Sequence, residues 1–178
     1  MNKIFNFAEQ IASLGGSAYV VGGAIRDLLM GVAPHDHDLL VCGVEVFAFE
    51  QAFPNAKKTG NSFPVYRLNI EGEEVEIAFA RKEEKVAEGH SGFKMIFSSD
   101  VTFEEDMVRR DTTMNALGMN IITGEVVDLF GGESDIRNGV IRAVSSHFIE
   151  DSVRVLRAAR QAAQFGFSVD SETIELMR

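Results

Sequence analysis

The strongest constraint on the fold is an alternation of apolar and polar side chains on both sides of Glu71-Gly72, over residues 64–81 (PVYRLNIEGEEVEIAFAR). Such alternation is typical of half-buried strands, and a short polar break with glycine is typical of a tight turn, so this segment predicts a hairpin. Two further β-prone runs, SAYVV and LLVCG, flank the helical pattern AIRDLLM. A strand, a helix and a strand followed by a hairpin predict an α/β domain with a mixed sheet.

Length and composition narrow the class of protein. The 178 residues allow one domain, or one domain and the start of a second. With 46% apolar and 25% charged residues, neither a disordered nor a fibrous chain fits. No apolar stretch reaches the length of a membrane helix, and Glu9 interrupts any secretion signal. The lone Cys42 excludes a disulfide framework, so we expect a cytoplasmic protein with no membrane association.

The net charge of −10 excludes the broad basic surface of most nucleic-acid-binding domains. Any contact with nucleic acid must therefore be local. No lysine follows Lys94, and the last third of the chain carries only arginine as its basic residue. Arginine is favoured where planar, fork-shaped hydrogen bonding to a phosphate or a base edge is needed.

The second half of the chain is predicted to begin with a loop, to contain the short strands EVVDLF and VIRAV, and to end in helices. Residues 82–102 show no clean period and are interpreted as a long mobile loop, of the kind that is usually functional or disordered. Residues 146–165 (SHFIEDSVRVLRAARQAAQF) form a long helical pattern, and the sequence stops at Arg178 part-way through another. This ending suggests that a helical region continues.

Asp36-His37-Asp38, at the start of a predicted strand, is the first candidate site. Carboxylates at positions i and i+2 of a strand lie on the same face, and this spacing suits hard divalent cations. Two such ions can hold the attacking and leaving oxygens of a phosphoryl displacement. His35 and His37 raise two alternatives, a zinc site and an HD-type phosphohydrolase. Side chains alternate along a strand, so the histidines would point away from the aspartates, which argues against zinc. Pro34 disfavours the helix that an HD site needs.

Two other features surround this motif in the predicted sheet. Gly22-Gly23 lie between a strand and a helix, where backbone N–H groups can approach a phosphate, and Arg26 lies in the first turn of that helix. In the predicted hairpin, Glu74 and Glu76 share one face, and Glu76 lies deeper in the strand, so it is the better candidate for a third carboxylate. An ordinary glycine turn and a solvated sheet edge are the alternatives.

The later arginines form a second group of candidates. Arg109, Asp111 and Asn115 belong to one short segment, in which Asp111 could also be a helix cap. Arginines 154, 157 and 160 recur every three residues on one side of a helix, directly after Glu150-Asp151. A carboxylate and a guanidinium can read one nucleobase edge, although acids before a helix and arginines within it also complement the helix dipole.

Taken together and in order, these motifs resemble one family. The string VVGGAIRDLLMGVAPHDHDLLV resembles the GG-x-x-R-D-x-L-x-G…D-x-D signature of the class II tRNA nucleotidyltransferase and bacterial poly(A) polymerase family. The strings EDMVRRDTTMNALGMNIITGEVVDLFGGESDIRNGVIRAV and EDSVRVLRAARQAAQFGF are similar to its second and its base-reading blocks. The likeness covers roughly residues 17–168.

The resemblance implies a polymerase-β-like nucleotidyltransferase head domain, expected at residues 1–144, followed at 145–178 by the beginning of an all-helical neck that reads the nucleobase. It also implies roles for single residues. Two Mg²⁺ ions would be held by Asp36 and Asp38, with Glu76 as the third catalytic carboxylate. The nucleotide would be bound by residues from all three blocks: Gly22, Gly23, Arg26, Arg109, Asp111, Asn115, Asp151, Arg154 and Arg157. The loop at 82–102 would correspond to the segment thought to help in switching between nucleotides.

The function that the resemblance implies is template-independent addition of CMP and AMP, from CTP and ATP, to the 3′ end of tRNA. Most of the tRNA contact would lie in regions beyond this chain. Poly(A) polymerases of the family usually carry a basic, histidine-containing signature after D-x-D, and here that position reads LLVCGVEVFAFEQ, which favours CCA, CC or A addition over polyadenylation. A non-catalytic nucleotide-binding module is the alternative of another class.

Overall fold

A mixed sheet forms the centre of the fold. The computed structural model describes residues 2–34, 37–59, 64–87 and 92–178. In this part of the chain the sheet has seven strands in the order β3-β4-β5-β2-β1-β8-β9. These strands are β1 (Ser17–Val21), β2 (Asp38–Cys42), β3 (Lys57–Lys58), β4 (Val65–Ile70), β5 (Glu73–Phe79), β8 (Leu117–Asn120) and β9 (Val126–Asp128). Within the described part of this seven-stranded sheet, only β2 and β5 pair in parallel and the other neighbours are antiparallel, so the predicted α/β class with a mixed sheet is confirmed.

Helices cover the sheet unequally. They are α1 (Asn2–Ser13), α2 (Gly23–Leu29), α3 (Val46–Ala52), α4 (Phe103–Val108), α5 (Gly132–Asn138), α6 (Ser152–Phe165) and α7 (Ser171–Leu176). The larger core holds Ile77 and Leu39 of the sheet together with Ile11 of α1 and Phe49 of α3, all nearly inaccessible to solvent. A smaller core on the opposite face packs Leu40 against Met107 of α4. Among the described residues, no helix is long and apolar enough to cross a bilayer.

The predicted hairpin is formed by β4 and β5, joined at Glu71-Gly72. Glu71 and Gly72 both have positive φ, of 50° and 92°, as a tight two-residue turn requires. Alternation along β5 buries Val75, Ile77 and Phe79 and leaves Glu74 and Glu76 exposed, as the sequence predicted.

The prediction of a loop at 82–102 is wrong for most of the described residues in that range. Strands β6 (Arg81–Lys85) and β7 (Phe93–Phe97) pair as a separate antiparallel ribbon. The sequence of β6, RKEEK, lacks the apolar alternation of a half-buried strand, so it carries no strand pattern. Residues 88–91 lie outside the described part of the chain.

The segment after residue 144 is packed against the preceding part of the chain. It begins with a 3₁₀ helix, Ser146–Glu150, and continues with α6 and α7. Between these two helices, β11 (Ser168–Val169) pairs in parallel with β10 (Val140–Ile141). Ala158 of α6 is fully buried in the larger core, so α6 has a fixed place relative to the sheet.

Candidate active site

A glycine turn joins β1 to α2. Gly22 has φ 69° and ψ −130°, a conformation that strains residues with a side chain. A methyl group there would lie 3.2 Å from Nη1 of Arg110, and one at Gly23 would lie 3.3 Å from Nη2 of Arg26. Both glycines therefore keep the backbone open to the guanidinium groups around it.

Arg26 is held in a fixed orientation beside this turn. Its Nε and Nη2 donate to Oδ1 of Asp27 at 2.9 and 2.7 Å, and its Nη1 donates to Oδ1 of Asn115 at 2.8 Å. The guanidinium carbon lies 4.8 Å from the centre of the Phe165 ring at the end of α6. Arg26 thus connects the first and second sequence blocks to the helix of the third.

The two described acidic candidates lie side by side. Asp38 at the start of β2 and Glu76 in β5 are Cα partners across neighbouring parallel strands, and both are exposed. Partners in one register have side chains on the same face of a sheet. Oxygen donors with this placement suit a hard divalent cation. Among the described residues no group of three metal-ligating side chains is formed, and Asp36 and His35 lie outside those residues.

A large cavity of about 580 Å³ opens between the sheet, the β6–β7 ribbon and α6. Its size is within the range of small-molecule sites in proteins. It is lined by most of the predicted site residues, namely Gly22, Gly23, Arg26, Asp38, Arg109, Asp111, Asn115, Asp151, Arg154 and Arg157. Glu76 lies instead in an adjoining small cavity of about 270 Å³, which Asp38 also lines. Residues far apart in sequence are thus brought together around one space.

Asp106 organises two arginines at one wall of the large cavity. Its Oδ1 accepts from Nη2 of Arg109 at 2.6 Å, and its Oδ2 accepts from Nη2 of Arg110 at 3.2 Å. The backbone N–H of Arg81 also donates to Oδ1, at 3.1 Å. Burial acts to raise the pKa of Asp106, but the charges of Arg109 and Arg110 and these hydrogen bonds outweigh it and lower the pKa. The side chain is therefore a buried, ionised anchor.

Asp111 has partners on both of its carboxylate oxygens. Oδ2 accepts from Nε of Arg157 at 2.7 Å and from Nε2 of Gln161 at 3.0 Å. Oδ1 accepts from Nδ2 of Asn115 at 3.1 Å and from the N–H of Thr112 at 2.8 Å. Burial opposes ionisation, yet Arg157 and the hydrogen bonds lower the pKa of Asp111. The predicted alternative, a helix cap, is not its role here, since Asp111 fastens α6 to the second block.

The third block forms another wall. Asp151 is the N-cap of α6, with Oδ1 accepting from the N–H of Val153 at 2.9 Å. Arg154 is 6% exposed; its Nη2 donates to Oε2 of Glu83 at 2.9 Å, and its Nη1 donates to the carbonyl of His147. The spacing of three residues places Arg154, Arg157 and Arg160 at the same cavity, as the helical pattern predicted.

Sequence reasoning missed Glu83, Arg81 and Arg110, which also line the large cavity. Glu83 on β6 lies within 3.2 Å of Arg81, 3.1 Å of Arg109 and 2.9 Å of Arg154. One carboxylate therefore forms ion pairs with three cations from separate elements. Arg110 was adjacent to the predicted Arg109 and Asp111, but the sequence alone gave no sign that it would face the glycine turn.

The sequence profile described as the poly(A) polymerase head domain matches residues 18–142. The chain belongs to this family. The resemblance predicted from the three blocks is therefore confirmed.

Two curated relatives share nearly half of their aligned residues with the chain. The multifunctional CCA protein of Neisseria gonorrhoeae (strain NCCP11945) is 45% identical over 161 residues, covering 90% of this chain and 38% of that protein. The CCA-adding enzyme of Hamiltonella defensa is 46% identical over 164 residues, covering 90% and 39%. The chain thus spans well under half the length of these relatives.

Solved structures of CCA-adding enzymes have the same fold. An apo form superimposes with a TM-score of 0.85 at 29% identity, over 99% of this chain and 42% of that one. The Bacillus stearothermophilus enzyme in complex with CTP gives 0.81 at 29% identity, over 98% and 42%. A CCA-adding enzyme in complex with ATP has a TM-score of 0.78 and 29% identity, over 99% of this chain and 40% of that one. The Thermotoga maritima enzyme complexed with tRNA has a TM-score of 0.76 and 28% identity, over the same shares of the two chains. Nucleotidyltransferases, the class of these relatives, generally need a divalent metal.

Proposed function

We propose that this chain is the catalytic part of a nucleotidyltransferase that adds CMP and AMP, from CTP and ATP, to the 3′ end of tRNA without a nucleic-acid template. The observation that carries the proposal is the position of Asp38, which lies beside Glu76 and also lines the arginine-rich large cavity. Carboxylates for a cation and arginines for phosphates are the two requirements of phosphoryl transfer. The CTP, ATP and tRNA complexes of similar enzymes support these substrates.

Asp36, Asp38 and Glu76 are proposed to hold two Mg²⁺ ions. The exposed carboxylates of Asp38 and Glu76 on one face supply the hard oxygen donors that this ion prefers. When bound, the ions lower the pKa of the attacking hydroxyl and neutralise charge on the leaving pyrophosphate. The protein carboxylates then position charge rather than shuttle protons.

The remaining predicted residues are proposed to bind the nucleotide. The turn at Gly22-Gly23, with Arg26 beside it, would bind the triphosphate, and Arg109, Asp111 and Asn115 would serve the ribose and phosphates. Asp151 and Arg154 would hydrogen-bond the Watson–Crick edge of the incoming base, with Arg157 next to them. Their shared cavity and their fixed hydrogen-bonding partners support this assignment, because a preorganised donor set lowers the cost of binding.

In the proposed reaction, the 3′ oxygen of the RNA attacks the α-phosphorus of the nucleotide. The new bond joins that oxygen to phosphorus, the bond to the bridging oxygen of pyrophosphate breaks, and the hydroxyl proton is released to solvent. The chain's contribution is positioning and charge stabilisation, which supply most of the catalysis in phosphoryl transfer. Fixed side chains choose the base, so no template strand is needed.

The proposal includes the domain division at 144/145, with a head domain before it and the beginning of a helical neck after it, and a cytoplasmic location. Polyadenylation is the alternative within the family. The absence of a basic residue in LLVCGVEVFAFEQ after Asp38 favours CCA, CC or A addition.

The test is incorporation of radiolabelled CTP and ATP, separately and together, into tRNA that lacks its 3′ CCA, with magnesium. We expect incorporation by the gene product that carries this chain, and the nucleotide pattern identifies CCA, CC or A addition. Long runs of A would identify the polymerase alternative. No incorporation with nucleotide binding retained would support the non-catalytic module, and phosphate release without RNA would support a phosphohydrolase.

Arg154→Ala is expected to relax the choice of nucleotide. Arg154 is the buried guanidinium that lines the large cavity next to Asp151, and a good bidentate contact to a base edge contributes about 1–3 kcal/mol of discrimination. We therefore expect the preference for CTP and ATP over UTP and GTP, measured as a ratio of kcat/KM values, to fall by about tenfold or more. Arg178→Ala, which removes an exposed cation outside the cavity, is the control and should keep the ratio. An unchanged ratio in Arg154→Ala would remove this residue from base recognition.

A further inference from the structure

We propose that the small cavity, between Asp38 and Arg67, receives the 3′ end of the RNA, and that Arg67 binds its terminal phosphodiester. This inference rests on the proposed function and adds the acceptor side of the site to it. It assigns a role to Arg67 of β4, which none of the three sequence blocks contains.

A single row of side chains crosses the sheet at this point. Lys57 of β3 is the Cα partner of Arg67, Arg67 is the partner of Glu76, and Glu76 is the partner of Asp38. Partners in one row have side chains on the same face, and all four are exposed. The row therefore has two carboxylates at one end and two cations, Arg67 and then Lys57, at the other end, where the sheet has its edge.

The position of Asp38 divides the site into a nucleotide side and an opposite side. Asp38 lines both cavities, and it is the residue that the described linings of the two cavities share. In phosphoryl transfer the attacking and leaving oxygens are roughly in line through phosphorus, so they approach from opposite sides. If the triphosphate lies in the large cavity along Gly22-Gly23, the attacking 3′ oxygen approaches from the small cavity.

The exposure and the long ion-pair distances of Arg67 leave its guanidinium group able to bind a phosphate. Its side chain is 51% exposed, and its Nη1 and Nε lie 3.6 Å from Glu74 and 3.8 Å from Glu76. These separations are too long for hydrogen bonds, so the ion pairs leave the guanidinium donors available. Exposed ion pairs of this kind are weak and are easily exchanged for a phosphate, which guanidinium can bind with two parallel hydrogen bonds.

The net charge of these 178 residues favours such a local cation. With a net charge of −10, these 178 residues repel RNA at long range, and the carboxylates of Asp38 and Glu76 add to this repulsion where the RNA end must approach. Arg67 and Lys57 place positive charge next to these carboxylates. A basic track that follows the backbone is the usual device for holding single-stranded nucleic acid.

The test compares Arg67→Ala with the unmodified protein in steady-state incorporation, with RNA and nucleotide varied separately. We expect the KM for RNA to rise by about tenfold or more, as loss of a hydrogen bond to a charged group predicts. The KM for nucleotide and kcat at saturating RNA should stay close to their original values. The slope of log KM for RNA against log salt should fall by about 0.7–1, the value for one lost phosphate contact.

Two further variants separate binding from structure. Arg67→Lys keeps the charge, so it should keep the salt slope and recover part of the RNA affinity, and it remains informative if Arg67→Ala fails to fold. Arg137→Ala removes an exposed arginine on α5 outside both cavities and should change none of these values. If Arg67→Ala lowers kcat or raises the nucleotide KM while the RNA KM and the salt slope stay constant, Arg67 only balances Glu76 and the inference is overturned. If the unmodified protein incorporates nothing, the proposed function itself fails.

Discussion

Asp38→Ala is expected to reduce nucleotide incorporation by at least about 1,000-fold, because about 4 kcal/mol of transition-state stabilisation by a bound cation corresponds to that factor. Asp38 lies at the start of β2 next to Glu76, and it lines both cavities. It is exposed, so its removal leaves the buried residues of β2 in place. The rate should therefore fall with little loss of folding. Single-turnover incorporation measures the rate, and circular dichroism with thermal unfolding measures the fold.

Glu125→Ala is a matched control, since it removes an equal charge from an exposed position in the β8–β9 turn, away from both cavities. We expect it to keep full activity. Nucleotide binding by Asp38→Ala in the absence of metal should also persist, because the arginines that line the large cavity are unchanged. A variant that incorporates nucleotide within about tenfold of the original rate would contradict the assignment of Asp38, and one that unfolds would make Asp38 structural.

The same prediction applies to Asp36 from its sequence spacing, although Asp36 lies outside the described residues. Asp36→Ala should match Asp38→Ala in rate if both carboxylates bind the cations. If Asp36→Ala kept activity, the metal would rest on Asp38 and Glu76, which are neighbours in the sheet.

Local sequence patterns predicted the parts of the site that depend on local geometry. Alternation predicted that Glu74 and Glu76 share a face, and the three-residue spacing predicted one side of α6 for Arg154 and Arg157; both placements are observed. The partners of these residues could not be predicted in this way. Glu76 lies beside Asp38 only because β5 pairs with β2 in parallel, and such a long-range register is not encoded in either strand alone.

The β6–β7 ribbon shows the opposite case, in which the local pattern failed. All five residues of β6 are charged, so periodicity predicts no strand there. Its place in the fold depends on distant partners, since Glu83 forms ion pairs with Arg109, which follows α4, and with Arg154 in α6. Apolar periodicity does not detect a strand whose position depends on ion pairs with residues far away in the sequence.

Asp106→Asn is expected to lower the free energy of unfolding by about 3–5 kcal/mol at pH 7, the usual cost of removing one partner from a buried ion pair. The side chain of Asp106 is fully buried, and it accepts hydrogen bonds from Arg109, Arg110 and the backbone of Arg81. Asparagine has nearly the same shape, so the change creates little empty volume. It removes the counter-charge of Arg110 and one of the two carboxylates that pair with Arg109, whose other partner is Glu83. Urea-induced unfolding measures the loss. Glu104→Gln, an exposed substitution on the same helix, should change it by less than about 0.5 kcal/mol.

The pH dependence provides an independent check on this anchor. The pKa of Asp106 is lowered in the folded protein, so its contribution is fully present above the unfolded value of about 3.9 and is lost as pH falls through the folded pKa. The stability difference between the original protein and Asp106→Asn should therefore stay constant from pH 7 to about pH 4 and shrink below it. Asp111, whose pKa is also lowered, contributes equally to both proteins and cancels. A difference below about 1 kcal/mol at pH 7, or one that grows on acidification, would show that the two arginines do not depend on this carboxylate. If the prediction holds, the anchor that keeps Arg109 and Arg110 at the wall of the large cavity is also one of the main electrostatic supports of the fold.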